Sequence, residues 1–135
     1  MIVFLVAAFL SFSMGTAWGT FGILIPICIA VFPSATEELR VICISACMAG
    51  AVCGDHCSPI SDTTILSSMG TSCNHIDHVS TQIYYAIFVA AIAIIFGYIP
   101  AGFGIQWYIS IPVAIVVMYI GLRVLGEKVP FDEAA

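Results

Sequence analysis

The hydrophobic pattern divides the chain into two kinds of segment. Two stretches are long and continuous: "IYYAIFVAAIAIIFGYIP", ending at Pro100, and "WYISIPVAIVVMYIGL", beginning at Trp107. A helix needs about 20 apolar residues to cross a hydrocarbon core about 30 Å thick. The pattern therefore predicts transmembrane helices over 82–100 and 106–122, joined by the short turn "AGFGIQ". Tyr84, Tyr85, Tyr98, Trp107 and Tyr108 lie near their ends, where amphipathic rings favour the interface, and Pro112 is a candidate kink. The earlier segments are interrupted. "IVFLVAAFL" and "FGILIPICIAVF" are each too short to cross and flank "SFSMGTAWGT"; "VICISACMAGAVC" and "TTILSSMG" repeat the design around "GDHCSPISDTT". They read as broken or re-entrant helix pairs over 1–33 and 41–70. Discontinuous helices are what many transporters build their binding sites from. The freed N–H and C=O groups are tolerated at membrane depth only where protein or water satisfies them. Residues 13–20 and 54–64 are thus expected to face the interior and, in the simplest arrangement, each other.

Composition makes the bilayer reading firm. The chain is 61% hydrophobic and 8% charged, with a mean hydropathy of +1.13, against about 25% charged residues in soluble domains. Arg40, Arg123 and Lys128 are its only basic residues and form no cluster, which excludes a nucleic-acid footprint. "PSATEELR" reads as a surface loop leading into a helix whose first turn holds Glu37 and Glu38, where the helix dipole favours acids. "TSCNHIDHVSTQ" reads as a second surface loop and 123–135 as a polar tail. Arg123 and Lys128 place that tail in the cytoplasm by the positive-inside rule, as expected for a multi-pass protein of the cell membrane. Cys28, Cys43, Cys47 and Cys53 lie in apolar runs and read as packing thiols. Met1 leads directly into apolar sequence without the basic start of a signal peptide. The expectation is the C-terminal part of a longer transporter, or else a short membrane subunit.

The chemistry concentrates in "GDHCSPISDTT". Pro59 lacks an N–H, and Gly54 can adopt angles that end a helix. The preceding helix is expected to stop near Gly54, leaving the carbonyls of Ala51, Val52 and Cys53 as its negative end, with Ser61 or Asp62 capping the next helix. Asp55, Ser58, Ser61, Asp62 and Thr63 are hard oxygen donors suited to an alkali cation. Burial disfavours an ionised carboxylate and a nearby cation favours it, so one aspartate can hold a proton or Na+, and competition for one site yields exchange. The plainer reading makes Asp62 a helix cap and Asp55 the partner of a buried donor. In the first break Ser13, Thr16 and Thr20 add hydroxyls, while Gly15 and Gly19 allow close backbone approach. Taken alone, Gly15/Gly19 and Gly50/Gly54 are the small-xxx-small spacing of ordinary helix packing. Cys53, His56 and Cys57, or Cys73, His75 and His78, invite a zinc reading, but paired C-x-x-C spacing is absent and no transition metal is predicted. Asp77 reads as a cap or neutralising charge beside the second set. His56 fits a proton relay or sensor, since imidazole titrates near neutrality.

"GTAWGTFGILIPICIAVFP" and "AVCGDHCSPISDTTILSSMGTSCNHIDHVSTQIYYA" closely resemble the C-terminal half of the sodium/proton antiporters of the NhaC type, over most of residues 13–98. The resemblance implies an all-α integral membrane fold, one half of an inverted-repeat transporter, that exports Na+ in exchange for H+ and is not an enzyme. It implies that Asp55, His56, Ser58, Asp62 and Thr63 line the transport site, with Thr16, Trp18, Gly19 and Thr20 on the opposing break. Na+ and H+ are then transported ions, and no cofactor is called for. The implied partners are the lipid bilayer and an N-terminal repeat in the same or a separate chain; a homo-oligomer is compatible with this, and nucleic acid is not. Similar proteins include sodium-linked malate/lactate exchangers, so organic-acid exchange is the alternative substrate reading. A non-transporting remnant or split-transporter subunit is the alternative of another class.

Overall fold

The computed structural model describes residues 1–31 and 37–126, all of whose regular structure is helical. The rest of the polar loop at 32–36 and the tail from 127 on, including Lys128, lie outside the described residues. In chain order the helices are α1 (Ile2–Met14), α2 (Ala17–Val31), α3 (Glu37–Cys57), α4 (Asp62–Gly70), α5 (His75–Ile92), α6 (Ile99–Gly102) and α7 (Trp107–Leu125). A π-helical stretch, Ala93–Tyr98, joins α5 to α6. Packing separates two units, Met1–Ala90 and the residues from Ala91 on.

Within the first unit, α1 and α3 run side by side in the same direction. Gly50 of α3 lies against the carbonyl of Phe4, Gly54 lies against the carbonyl of Ala8, and the Ser58 hydroxyl reaches the carbonyl of Phe12. Each step is four residues along both helices, which fixes a parallel register. A Cβ on Gly50 or Gly54 would overlap the α1 backbone; these glycines are the small residues that allow close approach. Gly54 is therefore a packing position and not the end of the helix. α3 continues through it to Cys57, so the carbonyls of Ala51 and Val52 remain inside the helix. The stop comes one turn later because a residue before proline is disfavoured in the helical region, and that residue is Ser58.

α2 turns back antiparallel. Its Leu24 packs with Ala7 of α1, and its Cys28 thiol lies against those of Cys43 and Cys47 on α3. The buried stripes are Phe4, Ala7 and Ser11 on α1; Thr20, Leu24 and Cys28 on α2; and Cys43, Ala46, Cys47, Gly50, Ala51, Gly54, Asp55 and Cys57 on α3. Each follows helical periodicity. Each is also graded along its length: apolar at the Cys28–Cys43 end, polar at the end where α1 and α3 terminate.

Helix lengths revise the expected spans. α1 and α2, with 13 and 15 residues, reach only about 20 and 23 Å at 1.5 Å per residue, short of a crossing. α3 was expected to be a half-helix, yet its 21 residues cover about 31 Å, because the polar "EELR" is its first turn. The continuous helix His75–Gly102 has 28 residues and starts earlier than the expected 82. Only 71–74 of the predicted surface loop stays irregular, since Asn74 caps α5 by accepting the Ile76 N–H at 3.0 Å. Asp77, expected as a cap or a neutralising charge, lies inside the first turn.

In the second unit the π stretch has a local cause. Pro100 offers no N–H to the carbonyl four residues back and its ring crowds that carbonyl, and the Ile99 N–H bonds five residues back to Ile94. Gly104, at φ 79°, makes the turn into α7, which accommodates Pro112 within its length.

The α1–α3 contact yields a test. Gly50→Ala and Gly54→Ala should each lower stability by about 1–3 kcal/mol, although alanine is the better helix former. Gly22→Ala, in open space on α2, should be neutral or stabilising. Thermal unfolding of the detergent-purified protein followed by circular dichroism reads the difference, and equal midpoints for all three would refute the packing role.

Candidate ion site where two helix breaks meet

α1 ends at Gly15, whose φ of 66° is the left-handed conformation that glycine adopts without strain. Thr16 then starts α2: its Oγ1 accepts the Gly19 N–H at 3.4 Å, an N-cap contact, and its carbonyl accepts the Thr20 hydroxyl at 2.9 Å. On the other side α3 gives way to 58–61. The Ser58 N–H donates to the Asp55 carbonyl at 3.1 Å, and the Ser58 hydroxyl accepts the Ile60 N–H at 3.4 Å. The two breaks touch. Gly15 lies against Ile60, so closely that a side chain there would press on its carbonyl, and the Ser58 hydroxyl donates to the Phe12 carbonyl at 2.8 Å.

Directly behind this junction sits Asp55, 4% exposed and in the last turn of α3. Hydroxyls, not a basic side chain, hold its carboxylate. The Ser61 Oγ donates to Oδ1 at 2.8 Å, the Thr63 Oγ1 donates to Oδ2 at 2.9 Å, and the two hydroxyl oxygens are 2.7 Å apart. Residues six and eight positions after Asp55 thus close a four-oxygen ring, because the chain reverses at Pro59. Ser61 occupies the N-cap position of α4 but makes no side-chain cap; its hydroxyl is committed to Asp55. Asp62 takes over part of that task, its Oδ1 accepting the Thr63 N–H at 2.8 Å.

A buried carboxylate is thus ringed by hydroxyls in an apolar helical chain with interrupted helices. Residues 1–103 match the Na+/H+ antiporter family. The chain belongs to this family. It is 52% identical over 125 residues to an uncharacterized protein of Haemophilus influenzae, covering 90% of this chain and 24% of that protein. It is 31% identical over 83 residues to the malate-2H(+)/Na(+)-lactate antiporter of Bacillus subtilis, covering 62% of this chain and 18% of that protein. The chain thus spans about a quarter or less of the length of these relatives. No solved structure matches it. Membership of an antiporter family points to a transporter rather than an enzyme.

Within this antiporter segment the structure sorts the residues that the sequence singled out. Asp55, Ser61 and Thr63 form the ring, and Ser58 fastens the ring's break to α1. Asp62 is exposed and acts at the α4 N-terminus. His56 is exposed, with Nδ1 2.9 Å from the Val52 carbonyl. Thr16 caps α2. Thr20 is wholly buried and returns its hydroxyl to its own helix. Gly19 lies inside the first turn of α2, so the break is at Gly15. Trp18 is exposed and packs edge-on against Phe21 at 5.8 Å.

Sequence reasoning missed Ser11. It is fully buried, and its Oγ has no hydrogen-bond partner among the described residues. Its signal was its spacing: with Phe4 and Ala7 it completes the i, i+3, i+7 stripe of α1. Ser68 and His75 also carry break contacts that no local pattern announces.

Ser58 is the side chain that links the two breaks. Ser58→Ala should lower stability by about 1 kcal/mol, whereas Ser13→Ala, which removes only an exposed bond within α1, should leave the unfolding midpoint unchanged. Equal midpoints would show that the junction does not depend on this hydroxyl.

Proposed function

We propose that Asp55, Ser61 and Thr63 form the site at which Na+ and H+ compete, and that this segment exchanges Na+ for H+ as part of an NhaC-type antiporter. The observation that carries this reading is the hydrogen inventory of the ring. Its three short O···O contacts need three hydrogens, and the two hydroxyls supply two. Protonating Asp55 supplies the third: the acid donates to one hydroxyl, that hydroxyl to the other, and the last to the remaining carboxyl oxygen. With Asp55 ionised, one contact has no hydrogen and two oxygens face each other unshielded. A hard cation resolves this in the second way available, since two carboxylate and two hydroxyl oxygens are the donors such ions take. One positive charge completes the ring, either as H+ or as Na+, and exclusive occupancy is the basis of antiport.

Family membership supports cation exchange. The similarity to the B. subtilis protein favours a second reading, sodium-linked organic-acid exchange, in which the same ring holds the sodium and the anion lies elsewhere. In both readings the segment acts with the remaining transporter segments, in the same or a separate chain, in a multi-pass protein of the cell membrane.

The test is sodium-dependent proton movement in everted vesicles containing the complete protein. Asp55→Asn should reduce exchange by about 100-fold or more, a loss on the scale of removing an essential charge, and Ser61→Ala or Thr63→Ala should raise the half-saturating Na+ concentration. Asp62→Asn should change exchange by only about a few-fold. Normal exchange by Asp55→Asn overturns the reading; proton movement that requires added malate or lactate selects the organic-acid form.

A further inference from the structure

We propose that His75 is a positioning residue of the ion site, clamping the α3–α4 break from the start of α5; this rests on the ring of Asp55, Ser61 and Thr63 being the transport site. The His75 Nε2 lies 2.7 Å from the Pro59 carbonyl oxygen, and Nδ1 lies 3.1 Å from the Ser68 Oγ. A carbonyl carries no hydrogen, so Nε2 is the donor and the Pro59 contact fixes that ring hydrogen. With the ring hydrogen on Nε2, Nδ1 is an acceptor, and the one hydroxyl hydrogen of Ser68, 2% exposed, is shared between Nδ1 and the Ile65 carbonyl at 2.8 Å. The imidazole thus grips two places at once: the reversal between Asp55 and Ser61, and the last turn of α4.

Two physical needs converge on this clamp. The Pro59 carbonyl lies beyond the end of α3 and before α4, so no helix supplies it with a donor. The donor it finds is the His75 ring, in keeping with the general need of backbone carbonyls for a partner. In addition, α4 has nine residues, fewer than the roughly 12–15 at which an isolated helix becomes even marginally stable. Its place is therefore set by tertiary contacts. At its N-terminal end those contacts are the Ser61 and Thr63 hydroxyls on Asp55; near its C-terminal end it is Ser68 on His75. Because His75 also holds Pro59, the triangle Pro59–His75–Ser68 fixes where α4 begins, and with it the separation of Ser61 and Thr63 from the carboxylate. His75 touches no ion in this scheme; it sets the size of the ring that does.

The experiment pairs transport with amide hydrogen exchange in the complete protein, for the unmodified form, His75→Ala, His75→Gln and Ser68→Ala. A glutamine amide can donate to the Pro59 carbonyl, so His75→Gln is the rescue. His75→Ala should raise the half-saturating Na+ concentration about fivefold while the maximal rate stays within about twofold. Exchange of the amides of residues 60–64 should accelerate by a similar factor, and His75→Gln should restore both. Should His75→Ala fail to fold, Ser68→Ala cuts the other arm and carries the same expectation.

An unchanged Na+ half-saturation together with faster amide exchange would reduce His75 to a structural brace, and unchanged amide exchange would remove the clamp altogether. If Asp55→Asn also transports normally, the ring is not the transport site; amide exchange, which needs no transport, then still decides whether His75 holds the break.

Discussion

Everything in the first unit hangs on two glycines. By letting the α3 backbone rest on the α1 backbone at Phe4 and Ala8, Gly50 and Gly54 lock a register in which both helices end at the same level. In hydrocarbon no general hydrophobic force draws helices together, and close backbone packing takes its place. The consequence is geometric. Once α1 and α3 run parallel in that register, the Gly15 turn meets the 58–61 reversal, and the Ser58 hydroxyl finds the Phe12 carbonyl. Larger residues at these positions would separate the helices and the two breaks with them.

The grading of the buried stripes follows from the same arrangement. Thiols and small apolar side chains fill the end near Cys28 and Cys43, where only packing is required. Toward the breaks, Ser11, Thr20, Asp55, Ser58 and Ser61 are buried, and there the interrupted backbone already demands polar partners. A buried hydroxyl or carboxyl is costly by itself. At the junction Ser61 bonds Asp55, Ser58 and Thr20 bond backbone carbonyls, and of these side chains Ser11 has no partner among the described residues.

Much of this was legible in the sequence, and the residues show why some was not. The breaks were visible because glycine, proline and hydroxyls interrupt apolar runs, and Asp55, Ser61 and Thr63 were recognised as oxygen donors. Which of them meet could not be read, since that depends on how Pro59 turns the chain. Asp62 therefore carried the same weight as Asp55, although one is exposed and the other buried. Glycine permits both helix ends and close contacts, so Gly54 alone does not distinguish them; the α1 backbone beside it decides. The α5 start was placed late because "HIDHVSTQ" is polar, and polarity is a poor guide where a helix emerges from the apolar region with Asn74 to cap it. His75 gave no sign of its role, as its partners lie 16 and 7 residues away.

The parallel run of α1 and α3 has an electrostatic corollary. The C-terminal ends of these two helices and the N-terminal ends of α2 and α4 all come to the junction. Each end carries a partial charge of about half an elementary unit, negative for the first pair and positive for the second. Two of each sign sum to about zero. The backbone therefore adds little net charge of its own, and the charge of the junction is left to the Asp55 carboxylate.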